Sequence, residues 1–255
     1  MTDLFDLTGH VSVITGGNSG IGFGMAGALA AAGARVCLWG TNEQRNSDAA
    51  ATLSAAGADV LALRCDVGDE QQVEDAMSRT ADHFGRIDSC FANAGIGSGG
   101  TRFTETSAEE FRRVTRVNLE GAFSTLRAAA ARMVEQGEGG SLVATSSLAA
   151  KQGPPRGQAY AASKGGVVSM VKSIAMELAK HDIRANAVLP GWVSTPLADP
   201  MLQSEGFQRR VLPRMPGGRW GTPDDFGAIA VYLASPASAF HTADAITLDG
   251  GYDAF

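Results

Sequence analysis

Tyr160 and Lys164 stand four residues apart in the run Tyr160-Ala161-Ala162-Ser163-Lys164. In a helix of about 3.6 residues per turn, such a pair lies on one face, one turn apart. An ammonium beside a phenol favours the phenolate, and so lowers a pKa that is ordinarily about 10. The pair therefore predicts an acid/base able to exchange a proton with an alcohol oxygen near neutral pH. The same spacing describes an ordinary surface pair, so the choice falls to the surrounding sequence.

A second stretch with chemical content is Thr15-Gly16-Gly17-Asn18-Ser19-Gly20-Ile21-Gly22. It joins a β-rich run at 11–15 to an Ala- and Leu-rich helical run at 21–32 that Gly33 stops. Glycines there permit a tight turn and let backbone N–H groups approach a pyrophosphate seated on the positive end of the helix. The spacing is Gly-x-x-x-Gly-x-Gly, and a purely structural turn is its alternative reading.

The elements that must position these residues alternate along the chain. Strand-like runs are expected at 11–15, 35–39, 59–64, 87–92, 141–145, 183–189 and 245–248. Helical runs are expected at 21–32, 43–56, 69–84, 107–136, 158–181 and 223–234, the fourth opening on the capping-box pattern Ser107-Ala108-Glu109-Glu110. The alternation predicts an α/β fold: a Rossmann-like, doubly wound parallel sheet of about seven strands with helices on both faces. No linker or repeat divides residues 1–255, so a single domain is expected. The stretch 193–222 has no clear element, and a connection that long reads as functional, a lid at about 194–219.

Composition excludes several classes. The chain of 255 residues is 44% hydrophobic with a net charge of −6, and no long run of one sign points to nucleic acid or an anionic membrane surface. No apolar run approaches the ~20 residues that span a bilayer. Met1-Thr2-Asp3-Leu4-Phe5-Asp6 lacks the features of a signal peptide, so a cytoplasmic protein is expected. Cys37, Cys65 and Cys90 fall in strand-like runs and read as reduced, buried thiols. His10, His83, His181 and His241 are scattered, so no metal site is expected.

With these residues in order, the chain resembles the short-chain dehydrogenases/reductases over nearly its whole length. The glycine loop matches the family's Thr-Gly-x-x-x-Gly-x-Gly signature, and Asn93-Ala94-Gly95 matches its Asn-Ala-Gly segment. Asn118 falls at the family's catalytic asparagine, and Ser147 lies 13 residues before Tyr160, the family's usual separation. Pro190-Gly191, with Val193 and Thr195 following, resembles the nicotinamide-side motif, and Asp249-Gly250-Gly251 resembles the C-terminal signature.

The resemblance implies hydride transfer between NAD or NADP and a secondary alcohol or ketone. It casts Tyr160 as the acid/base and Ser147 as the donor to the substrate oxygen, with Ser146 the alternative serine. Lys164 favours the phenolate and holds the nicotinamide ribose. Asn118 holds a helix kink and a water that relays protons to the lysine. Cofactor contacts are implied for Gly16, Asn18, Ser19, Gly20, Ile21, Gly22, Thr41, Asp66, Val67, Asn93, Ala94, Gly95, Tyr160, Lys164, Pro190, Gly191, Val193 and Thr195. Asp66 sits where the family binds adenine, with Val67 beside the ring, although helix capping is an alternative for Asp66. At the end of the second strand, where NAD enzymes of the family place an acid, this chain has Gly40. Neither Ser19 nor Thr41 supplies a base, so NAD versus NADP stays open.

Arg209, Arg210, Arg214, Arg219 and Arg156 read as a solvated basic face or as partners of a substrate carboxylate. Gly218-Arg219-Trp220-Gly221-Thr222-Pro223 and Leu4-Phe5-Asp6-Leu7-Thr8-Gly9 resemble the sugar-acid and polyol dehydrogenase branch. The alternatives are a 3-oxoacyl-thioester reductase, which shares every motif, and a non-catalytic nucleotide-binding scaffold or sensor. The only implied partner is a small-molecule substrate, apart from copies of the chain: a homotetramer, or a dimer, built through the two long helices and the last strand.

Overall fold

A computed structural model describes residues 4–254; residues 1–3 and 255, including half of the Met1–Asp6 opening, lie outside the described residues. The strands are β1 (Val11–Thr15), β2 (Arg35–Gly40), β3 (Val60–Arg64), β4 (Ser89–Ala92), β5 (Gly140–Thr145), β6 (Ile183–Pro190) and β7 (Ala245–Leu248). They form one sheet in the order β3-β2-β1-β4-β5-β6-β7, every neighbouring pair parallel. The helices are α1 (Gly20–Ala31), α2 (Glu43–Ala55), α3 (Glu70–Phe84), α4 (Ala108–Thr115), α5 (Gly121–Gln136), α6 (Ala149–Gln152), α7 (Gln158–Leu178), α8 (Asp199–Leu202), α9 (Glu205–Val211) and α10 (Gly227–Ala234).

Strands covered on both faces must be apolar on both, and adjacent residues here serve different cores. Val13, Cys37, Cys90 and Leu142 pack with α3, α5 and α7, while Ile14, Leu38, Phe91 and Val143 pack with α1, α2 and α10. All three cysteines are free and buried in the first core, where burial pushes Cys37 up to about 11, Cys65 to about 12 and Cys90 also upward. They are packing residues, held as thiols. Among the described residues no group of side chains has the make-up of a metal site, and no helix is long and apolar enough to cross a membrane.

Four stretches differ from the sequence expectation, one being 193–222, which has no clear element in the sequence yet holds α8 and α9. The helix expected over 107–136 is two helices, α4 and α5, joined by a π-helical turn at Arg116–Glu120 in which the Gly121 N–H donates to the Arg116 carbonyl. Ser107 does cap α4, accepting from the Glu110 N–H at 3.1 Å. Glu110 does not complete the box; its carboxylate accepts from the Gly99 N–H and pairs with Arg113. The short α6, directly after Ser147, has no signal in a four-residue run. Finally, 223–234 begins as a 3-10 turn, Pro223–Phe226, under a Thr222/Asp225 capping box before α10.

β1 pairs with β2 on one side and β4 on the other, so the chain reverses its winding between β1 and β4. Loops leaving the carboxyl ends of those two strands diverge and open a crevice there, the usual ligand site of such sheets. The glycine loop follows β1, and Asn93-Ala94-Gly95 follows β4.

Candidate active site

The glycine loop is held by contacts that leave no room for side chains. Gly16 and Gly20 have φ of 63° and 52°, in the left-handed region that favours glycine. A Cβ on Gly22 would run into the Gly16 carbonyl oxygen and Asn93 Nδ2. The Thr15 hydroxyl accepts from the N–H groups of Asn93 and Ala94 at 3.0 and 2.9 Å, and Asn93 Nδ2 donates to the Thr15 carbonyl at 3.0 Å. Thr15, which no spacing argument singled out, thus ties the two loops of the crevice together, and the Asn93 amide is spent on the same task.

Helix α1 differs from its neighbours. Ser19 is its N-cap but makes no side-chain cap bond, and no acid lies in its first turn. By contrast, α2, α3 and α4 are capped by Asn42, Asp69 and Ser107, each with a glutamate following. The free N–H groups at the start of α1 therefore suit an anion. Together with the glycine cradle, they fit the pyrophosphate of a nicotinamide dinucleotide.

Across the crevice, α7 carries Tyr160 and Lys164 on one face. Lys164 is 4% exposed, and its Nζ donates to the Thr145 carbonyl at 2.7 Å and lies 5.7 Å from the Tyr160 ring centroid. Burial lowers the Lys164 pKa from 10.5 to about 8. The Tyr160 phenol moves opposite to expectation: burial raises it above its ordinary value, while a hydrogen bond with Ser147 pulls the other way. The spacing does place Lys164 on the helix face of the phenol, but its ammonium is aimed at a strand carbonyl, and desolvation dominates the phenol.

The two serines after β5 are told apart by their partners. Ser146 is buried and donates to the Lys164 backbone carbonyl at 2.8 Å, pinning α7 to β5. Ser147 faces the phenol and accepts from the Ala149 N–H at 3.1 Å. Asn118 lies in the π-helical turn, 1% exposed. Its Oδ1 accepts from the Ile96 N–H at 2.8 Å and its Nδ2 donates to the Ile96 carbonyl at 2.9 Å. The side chain is thus a clamp on the segment after β4. Gly95, whose Cβ would stand 3.3 Å from Asn118 Oδ1 and 3.4 Å from Lys164 Nζ, leaves that corner open.

Towards the β2–β3 edge, Asp66 does not cap α3; that role belongs to Asp69. Asp66 Oδ1 accepts from the Gly68 N–H at 2.9 Å. Val67 is buried and its side chain packs on Gly121 at the start of α5, while Thr41 is exposed. On the far side, the Gly191 N–H donates to the Leu248 carbonyl at 2.9 Å, and a Cβ on Gly191 would strike Asp249 at 2.6 Å. The Asp249-Gly250-Gly251 run thus braces the turn after β6. Val193 is buried, and the bridge to Gly221 uses the Trp192 carbonyl and the Ser194 N–H, not the backbone groups of Val193 itself. The Thr195 methyl stands 3.2 Å from where a Gly20 Cβ would be, so this segment meets the glycine loop.

A family model described as enoyl-(acyl carrier protein) reductase matches residues 16–253. A 2,5-dichloro-2,5-cyclohexadiene-1,4-diol dehydrogenase of Sphingobium indicum is 34% identical over 250 residues, 98% of this chain and 99% of the relative. This chain is a short-chain dehydrogenase/reductase. A 2-dehydro-3-deoxy-D-gluconate 5-dehydrogenase of Escherichia coli is 34% identical over 248 residues, 97% of each chain. The crystal structure of a gluconate 5-dehydrogenase from Burkholderia cenocepacia J2315, in complex with NADP and tartrate, superimposes with a TM-score of 0.94. It is 31% identical and covers 99% of this chain and 98% of that one.

In this short-chain dehydrogenase/reductase, residues 194–219 pack through one aromatic cluster. Trp192 meets Phe207 edge-on at 4.8 Å, Phe207 meets Trp220 at 6.1 Å, and Trp192 meets Tyr252 at 6.4 Å. Val211, Met215 and Leu148, the residue after Ser147, complete it. The arginines of this segment are engaged within the chain. Arg219 grips Asp225 through both carboxylate oxygens, holding that acid well below the usual carboxylate range. Arg214 stacks on Tyr252 and donates to its hydroxyl at 2.9 Å, Arg210 donates to the Gly206 carbonyl, and Arg209 approaches Glu205. Arg156 differs. It is exposed at φ 64°, in a turn closed by the Gly157 N–H donating to the Pro154 carbonyl.

Proposed function

We propose that the chain catalyses reversible hydride transfer between NAD(P) and the carbon of a secondary alcohol, on a polyhydroxylated substrate bearing a carboxylate. The observation that carries this is the convergence of Ser147, Tyr160 and Lys164 beside the crevice where the glycine loop and Asn93-Ala94-Gly95 meet. The cofactor supplies the hydride acceptor or donor. Tyr160 takes the hydroxyl proton during oxidation and returns it to the carbonyl oxygen during reduction. Ser147 donates to the same oxygen and stabilises its developing charge. Lys164 spends one N–H on Thr145 and offers the others to the nicotinamide ribose, while its ammonium favours the phenolate once substrate contributes to the site. Asn118 keeps the segment after β4 in place, and its π-helical turn suits the proton relay.

The cofactor would be held by Gly16, Asn18, Ser19, Gly20, Ile21 and Gly22 at the pyrophosphate. Thr41, Asp66 and Val67 would hold the adenosine, and Asn93, Ala94 and Gly95 the crevice between. Pro190, Gly191, Val193 and Thr195 would take the nicotinamide, Val193 through its backbone. Residues 1–255 read as one domain, with 194–219 as the lid.

Arg156 is our candidate for the carboxylate contact. Its left-handed backbone at the third position of a turn, where glycine is favoured, is the kind of strain that marks a functional rim. Arg214 and Arg219 have partners already, which leaves the acyl-thioester alternative only the exposed Arg209 and Arg210 in this segment for a phosphate. Arg156→Ala should raise KM for sugar acids at least tenfold while leaving neutral polyols within about twofold, since a bidentate charged contact is worth ~1.5–3 kcal/mol. Equal effects on both substrate classes would remove the assignment.

A cytoplasmic homotetramer is part of the same reading. Phe111 of α4, Phe123 of α5 and Met176 of α7 are 43%, 46% and 76% exposed, on the helices that would pair. Ala128 and Ala129 are buried in the core and take no part. Light scattering at the mass of one chain would overturn this assembly.

A further inference from the structure

Gly40 ends β2 without a side chain, yet the space above it is filled. A Cβ there would meet the amide nitrogen of Asn18 and Asn46 Oδ1, with Asn18 Cγ at 3.0 Å. Two asparagines from separate elements thus occupy the volume that a side chain at position 40 would take.

Their orientation follows from donor counting. Asn46 is 4% exposed and lies on the buried stripe of α2 with Ala49 and Leu53, where a polar group is costly unless paired. Its Nδ2 donates to the Gly40 carbonyl at 2.9 Å and to the Leu63 carbonyl at 3.0 Å. Carbonyls only accept, so both N–H groups of Asn46 are spent and its oxygen is fixed towards the glycine loop. There Asn18 Nδ2 donates to it at 2.6 Å. This forces the Asn18 oxygen to the opposite side, where the Ser19 hydroxyl approaches it at 3.4 Å. The Gly40 carbonyl already accepts from the Cys65 N–H at 3.1 Å, so strand pairing does not require Asn46.

We infer that Asn46 is a positioning residue for the cofactor. Through Asn18 it sets a fixed, uncharged amide at the end of β2, where the adenosine ribose is read. That amide keeps one acceptor oxygen and one N–H for a ligand. A ribose 2′-hydroxyl can donate to the oxygen, and a 2′-phosphate can accept from the N–H without a carboxylate to repel it. The site therefore discriminates weakly between NAD and NADP. This rests on the cofactor reading above, and the experiment separates the two.

The test is calorimetric titration of NAD+ and NADP+ into the wild type, Asn46→Leu, Asn18→Ala, the double variant and Gly40→Ala. In the wild type both cofactors should bind with Kd values within about tenfold of each other. Asn46→Leu and Asn18→Ala should each weaken both cofactors roughly 3- to 10-fold, the scale of one hydrogen bond. The double variant should be no weaker than either single one, because both changes break the same chain of bonds. Gly40→Ala should reproduce the loss from the opposite side, and kcat at saturating cofactor should stay within about twofold in Asn46→Leu and Gly40→Ala. Folded Asn46→Leu that binds both cofactors like the wild type, or losses that add, would overturn the inference. If Asn46→Leu does not fold, Gly40→Ala with unchanged Kd values does the same. A tenfold or larger excess of one wild-type Kd over the other removes the claim of weak discrimination. A wild type that binds neither cofactor refutes the cofactor reading instead.

Discussion

The crevice around the glycine loop and residues 194–219 are built differently. In the crevice, each contact has backbone on at least one side. Gly22 lies on the Gly16 carbonyl, Gly191 on Asp249, and Thr15 holds the amides of Asn93 and Ala94. Across 194–219 the contacts are side chain on side chain: Trp192, Phe207, Trp220, Tyr252 and Met215, with Arg214 stacked on the tyrosine. Backbone contacts tolerate few residue types, so they recur as recognisable motifs. Aromatic and methionine packing can be met by many combinations, so it reshapes a pocket without leaving a motif. Under the proposed function, the reaction is therefore written in one region and the substrate in the other.

The strongest way to break this contrast is Lys164→Met. Activity should fall by about 100- to 10,000-fold, the usual span for losing part of an acid/base apparatus. Stability should move the other way. Burial holds Lys164 at about 8 rather than 10.5, so its charged form is disfavoured in the folded state. Below pH 8 both states are protonated and the cost is complete; between about 8 and 10.5 the unfolded chain binds the extra proton, so wild-type stability rises with pH. Melting curves should show Lys164→Met with the higher Tm at neutral pH and a shrinking margin above pH 8. A lower Tm at every pH would mean that the Thr145 hydrogen bond outweighs the buried charge.

Gly22→Ala comes next. Its Cβ has nowhere to go but into a backbone oxygen, and overpacking of this kind costs about 1–3 kcal/mol. Felt at the cofactor site, that is roughly 10- to 100-fold in Kd for NAD(P), with substrate KM unaffected at saturating cofactor. The smallest effect is expected from Phe207→Ala on the other side. Losing its contacts with Trp192 and Trp220 should change substrate KM about 3- to 10-fold and leave cofactor Kd alone. Cofactor affinity that moved with Phe207, or substrate KM that moved with Gly22, would dissolve the distinction between the regions.

How much was legible in the residues follows the same division. The seven-stranded parallel sheet and the helical face of Tyr160 and Lys164 follow from alternation and spacing, and the kink expected at Asn118 is a π-helical turn. Direction of hydrogen bonding was not legible. Nothing in the spacing says that Lys164 points to Thr145, that Ser146 rather than Ser147 anchors α7, or that Asp69 rather than Asp66 caps α3. Those depend on where distant strands end. Asn46 did carry a signal, an amide on the apolar stripe it shares with Ala49 and Leu53, but its meaning needed Gly40, Leu63 and Asn18 beside it. The arginines of 194–219 read as a basic face in sequence because the partners of two of them, Asp225 and Tyr252, lie outside that run.

In the proposed reaction Tyr160 moves the proton that accompanies hydride transfer. That role is tested most directly by kcat/KM against pH in both directions, on one alcohol/ketone pair, followed by nicotinamide absorbance. Oxidation should rise, and reduction fall, as pH passes through the same apparent pKa, and Tyr160→Phe should abolish that inflection while still binding cofactor. Parallel pH trends in the two directions, or an inflection that survives Tyr160→Phe, would contradict the account.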